Sequence, residues 1–437
     1  MSSAVTEETR FILTDDQARK LAAEHGTPLY VIDEAHLRNR IKRYVSAFRA
    51  AAPKSEVTYA SKANTTLAVI RIAFEEGCLI DVASEGELRG ALRAGVPANK
   101  CHLHGNNKSR QELEFAFEVG INQIVVDNFA EIETIAELAK EKSCPDLVIR
   151  LAPGVDPTTH AKISTGQADT KFGFNISDGS GEKALSRALE LGLPVVGFHC
   201  HVGSQLLDPE AQINGGQILA GFAAEMKRKL QFETKVLNVG GGMGVRYTED
   251  EVPMPVEQYC KTLVKGIREA MEGTDLDPLL VQEPGRWIVS ESGVTLYRIG
   301  VVKTVPSPSK GERTFVAVDG GLADNPRPAL YGSPYPVRHV PAESSASVGD
   351  EGTFTISGRH CETDKLFEDI RLPDTLKEGD LLQILCTGGY NQSMASNYNR
   401  YQRPATALLR PDGSSVLVQR PETWDEMFER ELLPEGV

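Results

Sequence analysis

At 437 residues the chain is long for one ordinary domain, which points to a large domain with a smaller companion. Its 41% hydrophobic and 25% charged content is that of a globular protein, and no apolar run is long enough to span a bilayer. A formal net charge of -14 argues against a nucleic-acid surface, which needs clustered Lys and Arg, and suits solubility. The opening MSSAVTEETR has neither the basic start nor the apolar core of a secretory signal. The seven cysteines (Cys78, Cys101, Cys144, Cys200, Cys260, Cys361, Cys386) are scattered without a CxxC pair, so neither a disulfide framework nor a structural zinc site is expected. A reducing cytoplasmic setting fits that usage.

Between about 57 and 283, short β-rich runs alternate with helical stretches. The runs are 57–61 (VTYAS), 79–83 (LIDVA), 101–104 (CHLH), 123–126 (QIVV), 147–151 (LVIRL), 195–199 (VVGFH), 236–239 (VLNV) and 279–283 (LLVQE). Helical spacing of apolar residues marks 66–76, 85–94, 110–119, 129–141 and 257–272. Eight β–α repeats predict a parallel sheet closed as a (β/α)8 barrel, with an open doubly wound sheet as the competitor. The stretch 152–194, with its polar, Gly-containing HAKISTGQADTKFGF, reads as a long loop at the barrel mouth. After about 290 the pattern changes to alternating runs at 294–305, 314–319, 353–357, 381–386 and 405–409, separated by Pro and Gly turns. This predicts an antiparallel β-domain, with exposed loops at 306–313 and 341–352.

Barrel active sites lie at the C-terminal strand ends, and polar residues gather at those positions here. Lys62 follows the first run, Asp81 lies in the second and His104 ends the third. His199, His201 and Ser204 follow the sixth, Gly240, Gly241 and Gly242 the seventh, and Glu283 ends the eighth. A lone Lys at a strand end is ordinarily a solvated charge; to act as a nucleophile it needs a desolvated or electropositive setting, which a barrel mouth provides. The triglycine of NVGGGMG can be a plain tight turn or a cradle of backbone amides for phosphate. It is not a dinucleotide fingerprint, since the G-x-G-x-x-G spacing is unconvincing. Glu283 has a structural reading, a buried ion pair with Arg286, and a functional one, a carboxylate for a pyridine nitrogen. The two histidines of HCHVGSQ lack an H-E-x-x-H pattern or a nearby Cys pair, so no metal is expected there.

Taken in order, YASKAN (59–64), HGNNKS (104–109), TKFGF (170–174), HVGSQ (201–205), EPGR (283–286), NPRPALYG (325–332), CE (361–362) and SMASNYNRYQRPA (393–405) form a distinctive series. The chain resembles the fold-type III pyridoxal-phosphate-dependent decarboxylases, and within them the diaminopimelate decarboxylases, over nearly its whole length. The resemblance implies a barrel over 36–290 binding pyridoxal 5'-phosphate. A β-domain from 1–35 and 291–437 would contribute to the substrate site and a dimer interface.

The resemblance also assigns roles. Lys62 would hold the cofactor covalently and His201 would stack on its ring. Ser204, the Gly240–Gly242 loop and the Gly285–Arg286 backbone would hold the phosphate. Glu283 would face the ring nitrogen, and Asp81 and Tyr390 would lie at the cofactor. Arg286, Arg327, Tyr331, Tyr390 and Glu362 would bind substrate. Cys361 would enter from a partner subunit as proton donor, making a homodimer with shared sites. Family members commonly read C-E-S-G-D and A-Y-G-F-S-M where this chain has C-E-T-D-K and G-Y-N-Q-S-M, both toward the substrate's far end.

The implied reaction is carboxy-lyase chemistry on meso-2,6-diaminopimelate, giving L-lysine and carbon dioxide as the last step of lysine biosynthesis. Two arginines and an acid suit a distal carboxylate and ammonium. Rival readings are a decarboxylase of ornithine, arginine or a carboxylated polyamine, which would have less use for Arg327, and an alanine-racemase-like enzyme, which would set an Arg against the ring nitrogen. A non-catalytic, cofactor-binding regulatory paralogue is the rival from another class.

Overall fold

The computed structural model describes residues 10–155, 169–343, 349–363 and 365–436. Most of HAKISTGQAD, the centre of the 341–352 loop, the first nine residues and Asp364 of C-E-T-D-K lie outside the described residues. The chain divides into two compact units, Arg38–Ile288 and a second made from Met1–Leu37 with Val289–Val437.

In chain order the strands begin with β1 (Leu29–Asp33), which belongs to the second unit. The first unit then supplies β2 (Ser55–Ala60), β3 (Leu79–Val82), β4 (Cys101–Leu103), β5 (Gln123–Val126), β6 (Asp146–Ala152), β7 (Phe174–Asn175), β8 (Val195–His199), β9 (Val236–Asn238) and β10 (Leu279–Gln282). All pairings among them are parallel, in the order β5-β4-β3-β2-β10-β9-β8-β6, and β5 pairs with β6 to close the ring. These eight strands are the (β/α)8 barrel. They read as near-continuous apolar runs because a closed parallel sheet is covered on both faces. The weakest of them, β4, is three residues long and is held by parallel register to β3 (Ile80↔Cys101) and to β5 (His102↔Gln123).

The helices start where the sequence offers caps. Ser84 accepts from the Glu87 amide, Asn128 from that of Glu131, and Ser109 forms a reciprocal capping box with Glu112. The helix Val256–Ala270 lays Val256, Tyr259, Cys260, Leu263, Val264 and Ile267 inward. A Cβ at Gly216 would already stand 3.1 Å from Leu263, so the small residue lets helix Glu210–Leu230 lie close against it.

The expectation of an unbroken loop over 152–194 is corrected. β7 pairs with β6, and Ser180–Glu190 is a helix burying Gly181, Ala184, Leu185 and Ala188. That is the spacing of one helical face.

The second unit adds β11 (Gly293–Ser307), β12 (Gly311–Val318), β13 (Val337–Val340), β14 (Glu351–Ser357), β15 (Lys365–Pro373), β16 (Leu381–Ile384), β17 (Ala405–Leu409) and β18 (Ser415–Gln419). Most neighbours are antiparallel, with parallel pairs at β1–β17 and β12–β14. The N-terminal segment completes this sheet, since β1 lies between β11 (Leu29↔Leu296) and β17 (Leu29↔Ala405). Among the described residues no helix is long and apolar enough to cross a membrane, and all seven cysteines are free.

Candidate active site

The C-terminal rim of the barrel holds a buried acid–imidazole cluster centred on Glu283. The acid follows β10 directly, where the strand ends and Pro284 and Gly285 turn the chain into the short helix Arg286–Val289. His199 Nε2 donates to Oε2 of Glu283 (3.1 Å), Asn238 Nδ2 donates to Oε1 (2.5 Å), and His104 Nε2 lies 3.2 Å from Oε1. The same His104 nitrogen is 3.3 Å from Oδ1 of Asp81. The strands β3, β8 and β9 and the residues just after β4 and β10 thus each deliver one side chain to a single point.

The electrostatics follow from that crowding. Burial pushes the Glu283 carboxyl up, but His104 and His199 outweigh it and hold the acid well below the usual carboxylate range. Burial alone would lower His104; Glu283 and Asp81 prevail and bring it up to about 9. His199 is pulled down by burial to about 4, only partly offset by Glu283. Asp81 is lifted by burial and by Glu283 to about 7, against His104 and Lys62. The cluster therefore carries an ionised Glu283, a cationic His104 and a neutral His199 at neutral pH.

Around it lie the remaining barrel residues singled out in the sequence. Lys62 sits in the turn Ser61–Ala63 after β2 and is exposed, so burial does not supply the desolvated setting expected for it. Its charge acts on Asp81 and on His201, and His201 is held neutral, well below its ordinary value, by burial and then by Lys62 and Arg150. The anticipated pairing of Glu283 with Arg286 gives way to a different one. Glu283 turns to the histidines and Asn238, while buried Arg286 donates from Nε to Ser204 Oγ (3.1 Å) and from Nη1 to the Tyr247 hydroxyl (2.9 Å).

The glycines after β9 are required by space. A Cβ at Gly240 would fall 2.4 Å from the Cys200 carbonyl oxygen, and one at Gly241 would fall 2.1 Å from that of Glu283. The amides of Gly241, Gly242 and Gly285 donate to no partner among the described residues. Gly241 and Gly285 are buried. A buried N–H without an acceptor costs about 1–3 kcal/mol, so these amides suit an external acceptor such as an anion.

A family model for the pyridoxal-dependent decarboxylases, covering their pyridoxal-binding domain, matches residues 37–290. The chain belongs to this family. A diaminopimelate decarboxylase of Bacillus subtilis is 43% identical over 417 residues, covering 94% of this chain and 93% of the relative. Another from Bacillus methanolicus is 44% identical over 92% of both chains. Among solved structures, a diaminopimelate decarboxylase of M. jannaschii in complex with L-lysine is similar with a TM-score of 0.87 at 33% identity, covering 95% of this chain and 94% of that one.

The residues present fit the cofactor that the family name implies. An ionised carboxylate at a strand end suits a protonated ring nitrogen, a neutral imidazole at His201 suits stacking on a flat ring, and the unpaired glycine amides suit a phosphate. His104, His199 and Glu283 also place three ligand atoms within 4.8 Å of one another, a spacing that the His199–Glu283 hydrogen bond and the His104–Glu283 ion pair already explain.

The second unit gathers a further group. The buried Arg327 guanidinium lies over the rings of Tyr331 (5.0 Å to centroid) and Tyr390 (5.3 Å), and Tyr390 takes a positive φ of 62°. Cys361 and Glu362 are exposed; the Cys361 amide donates to Asn399 Oδ1 (2.8 Å), and the Tyr398 hydroxyl donates to the Glu362 carboxylate. Sequence reasoning placed His104 and His199 on the rim without a role and missed Asn238, Tyr247 and Tyr398. The polar Asn238, buried two residues before the triglycine, was the available signal.

Proposed function

We propose that this chain is a pyridoxal-phosphate-dependent decarboxylase acting on meso-2,6-diaminopimelate, releasing carbon dioxide and L-lysine. The observation that carries the reading is Glu283, a buried acid held ionised by the His199 and Asn238 N–H donors and the His104 imidazolium, where the resemblance puts the cofactor ring nitrogen. When bound, pyridoxal phosphate supplies an electron sink, its protonated ring accepting the electron pair left on the α-carbon as the carboxylate departs. An ionised acid at the ring nitrogen keeps that nitrogen protonated and so favours decarboxylation; an arginine there would not.

The remaining residues take roles that their chemistry supports. Lys62 holds the cofactor through its amine, with Asp81 setting the charge nearby. His201 covers the ring face. Ser204 and the amides of Gly241, Gly242 and Gly285 hold the phosphate, with Gly240 turning the loop, and Tyr390 adds its hydroxyl there. Arg286 keeps Ser204 oriented through its 3.1 Å bond and presents its guanidinium to a substrate carboxylate. Arg327 and Tyr331 bind the distal carboxylate, Glu362 reads the distal ammonium, and Cys361 returns the proton to the α-carbon. Because Cys361 and Glu362 are exposed, they are suited to completing the site of a second copy in a homodimer. Seven free thiols suit a reducing compartment such as the cytoplasm.

Carbon dioxide release from meso-diaminopimelate, measured beside lysine, ornithine and arginine, tests the reading. Strong preference for diaminopimelate is expected. Preference for any of the other three overturns the substrate, and a colourless protein with no activity on all four overturns the enzyme.

A further inference from the structure

Asn238 ends β9, is wholly buried, and bonds in two opposite senses. Its Oδ1 accepts from the Gly240 amide (2.9 Å), and its Nδ2 donates to Oε1 of Glu283 (2.5 Å). The first bond dictates the second. A backbone N–H can only donate, so it fixes the amide oxygen toward Gly240 and turns the NH2 toward Glu283. An NH2 group accepts nothing, so it fits a Glu283 oxygen that carries no proton. The backbone repeats the tie, since the Glu283 N–H donates to the Gly240 carbonyl (3.0 Å). The close approach of Gly241 to the Glu283 carbonyl leaves no slack between the two segments.

We infer that Asn238 is a positioning residue that locks the Glu283 carboxylate and the glycine loop into one unit, fixing the spacing between the ring-nitrogen end and the phosphate end of the cofactor site. The inference rests on the functional reading above. A flat cofactor has a fixed distance between its nitrogen and its phosphate, so a site gripping both ends gains from a rigid spacer. His199 and His104 touch the acid but not the loop, and they continue to favour its ionised form when Asn238 is removed.

A cycle of wild type, Asn238→Ala, Glu283→Ala and the double variant tests this with two readouts. These are the dissociation constant of pyridoxal phosphate by equilibrium dialysis, and kcat and KM for diaminopimelate. Asn238→Ala is expected to weaken cofactor binding and lower kcat by about tenfold or more, with KM little changed; in the Glu283→Ala background its effect on both should be under about threefold. Equal losses in the two backgrounds mean that Asn238 acts independently of Glu283 and overturn the inference. Asn238→Ser retains an oxygen for the Gly240 amide but has no second polar atom to span to Glu283, so it carries the cycle if the alanine variant fails to fold. A wild type that neither binds the cofactor nor decarboxylates diaminopimelate removes the functional reading itself. An additive cycle in an active wild type removes only the spacer.

Discussion

Replacing Gly241 with alanine isolates a single physical quantity, because its φ lies outside the left-handed region and the backbone itself is open to any residue. The obstacle is space alone. The new Cβ would stand 2.1 Å from the Glu283 carbonyl oxygen and 2.9 Å from its carbon. The two backbones must part by roughly 1 Å or more to restore ordinary contact near 3.5 Å. Overpacking of this kind costs about 1–3 kcal/mol. In a domain of this size each kcal/mol lowers the melting temperature by roughly 2–4 °C, so a fall of about 2–12 °C is expected. Calorimetry on cofactor-free protein keeps ligand linkage out of the comparison. Gly221→Ala is the matched control: it lies inside helix Glu210–Leu230 with nothing within 4 Å of its added Cβ. There alanine should stabilise by about 0.5–1 kcal/mol through lower unfolded-state entropy and better helix propensity. Gly241→Ala should also weaken pyridoxal phosphate binding, since the displaced segment carries Glu283. A Gly241→Ala protein that melts within about 1 °C of wild type and binds the cofactor unchanged would refute the close-approach argument.

Two further predictions concern charge and assembly. His104, raised from 6.5 to about 9, holds its proton more tightly folded than unfolded, so its stabilisation is complete below pH 6.5 and is lost as pH rises through 9. Urea midpoints of wild type should decline across that window and those of His104→Gln should decline less; parallel declines would remove the imidazolium from the cluster. For the proposed shared site, mixing inactive Lys62→Ala and Cys361→Ala proteins should restore partial activity through hybrid dimers. No recovery after demonstrated subunit exchange counts against it.

Much of the barrel was legible because its strands are buried on both faces and therefore written as short apolar runs between amphipathic helices. Even the three-residue β4 was legible as the run 101–104, and the fold holds it through its neighbours β3 and β5. The helix Ser180–Glu190 was missed although Ala184, Leu185 and Ala188 recur at helical spacing, because the polar, Gly-containing run before it set the reading of the whole 152–194 stretch. In the site, Glu283 stood out because an acid ending an apolar strand is unusual. Asn238 did not, because an Asn near a glycine run is ordinary turn chemistry until its partner, 45 residues on, is in view. Tyr398 escaped for the same reason, its bond to Glu362 joining two loops that look merely polar in sequence.

The two histidines on Glu283 show why residue type alone does not set a role. Both bury an imidazole within 3.2 Å of the same carboxylate, yet one is raised to about 9 and the other lowered to about 4. His104 faces a second acid, Asp81, and the two negative neighbours overcome the cost of burying its charge. His199 has the one acid, with Arg150 and His104 opposing, and burial wins. The neutral His199 can then donate one N–H to Glu283 without adding charge, while His104 supplies the cation that lets a buried acid stay ionised. Removing His199 should therefore cost Glu283 an orienting bond, whereas removing His104 takes away the charge that balances it. That division of labour leaves the acid both aimed and ionised.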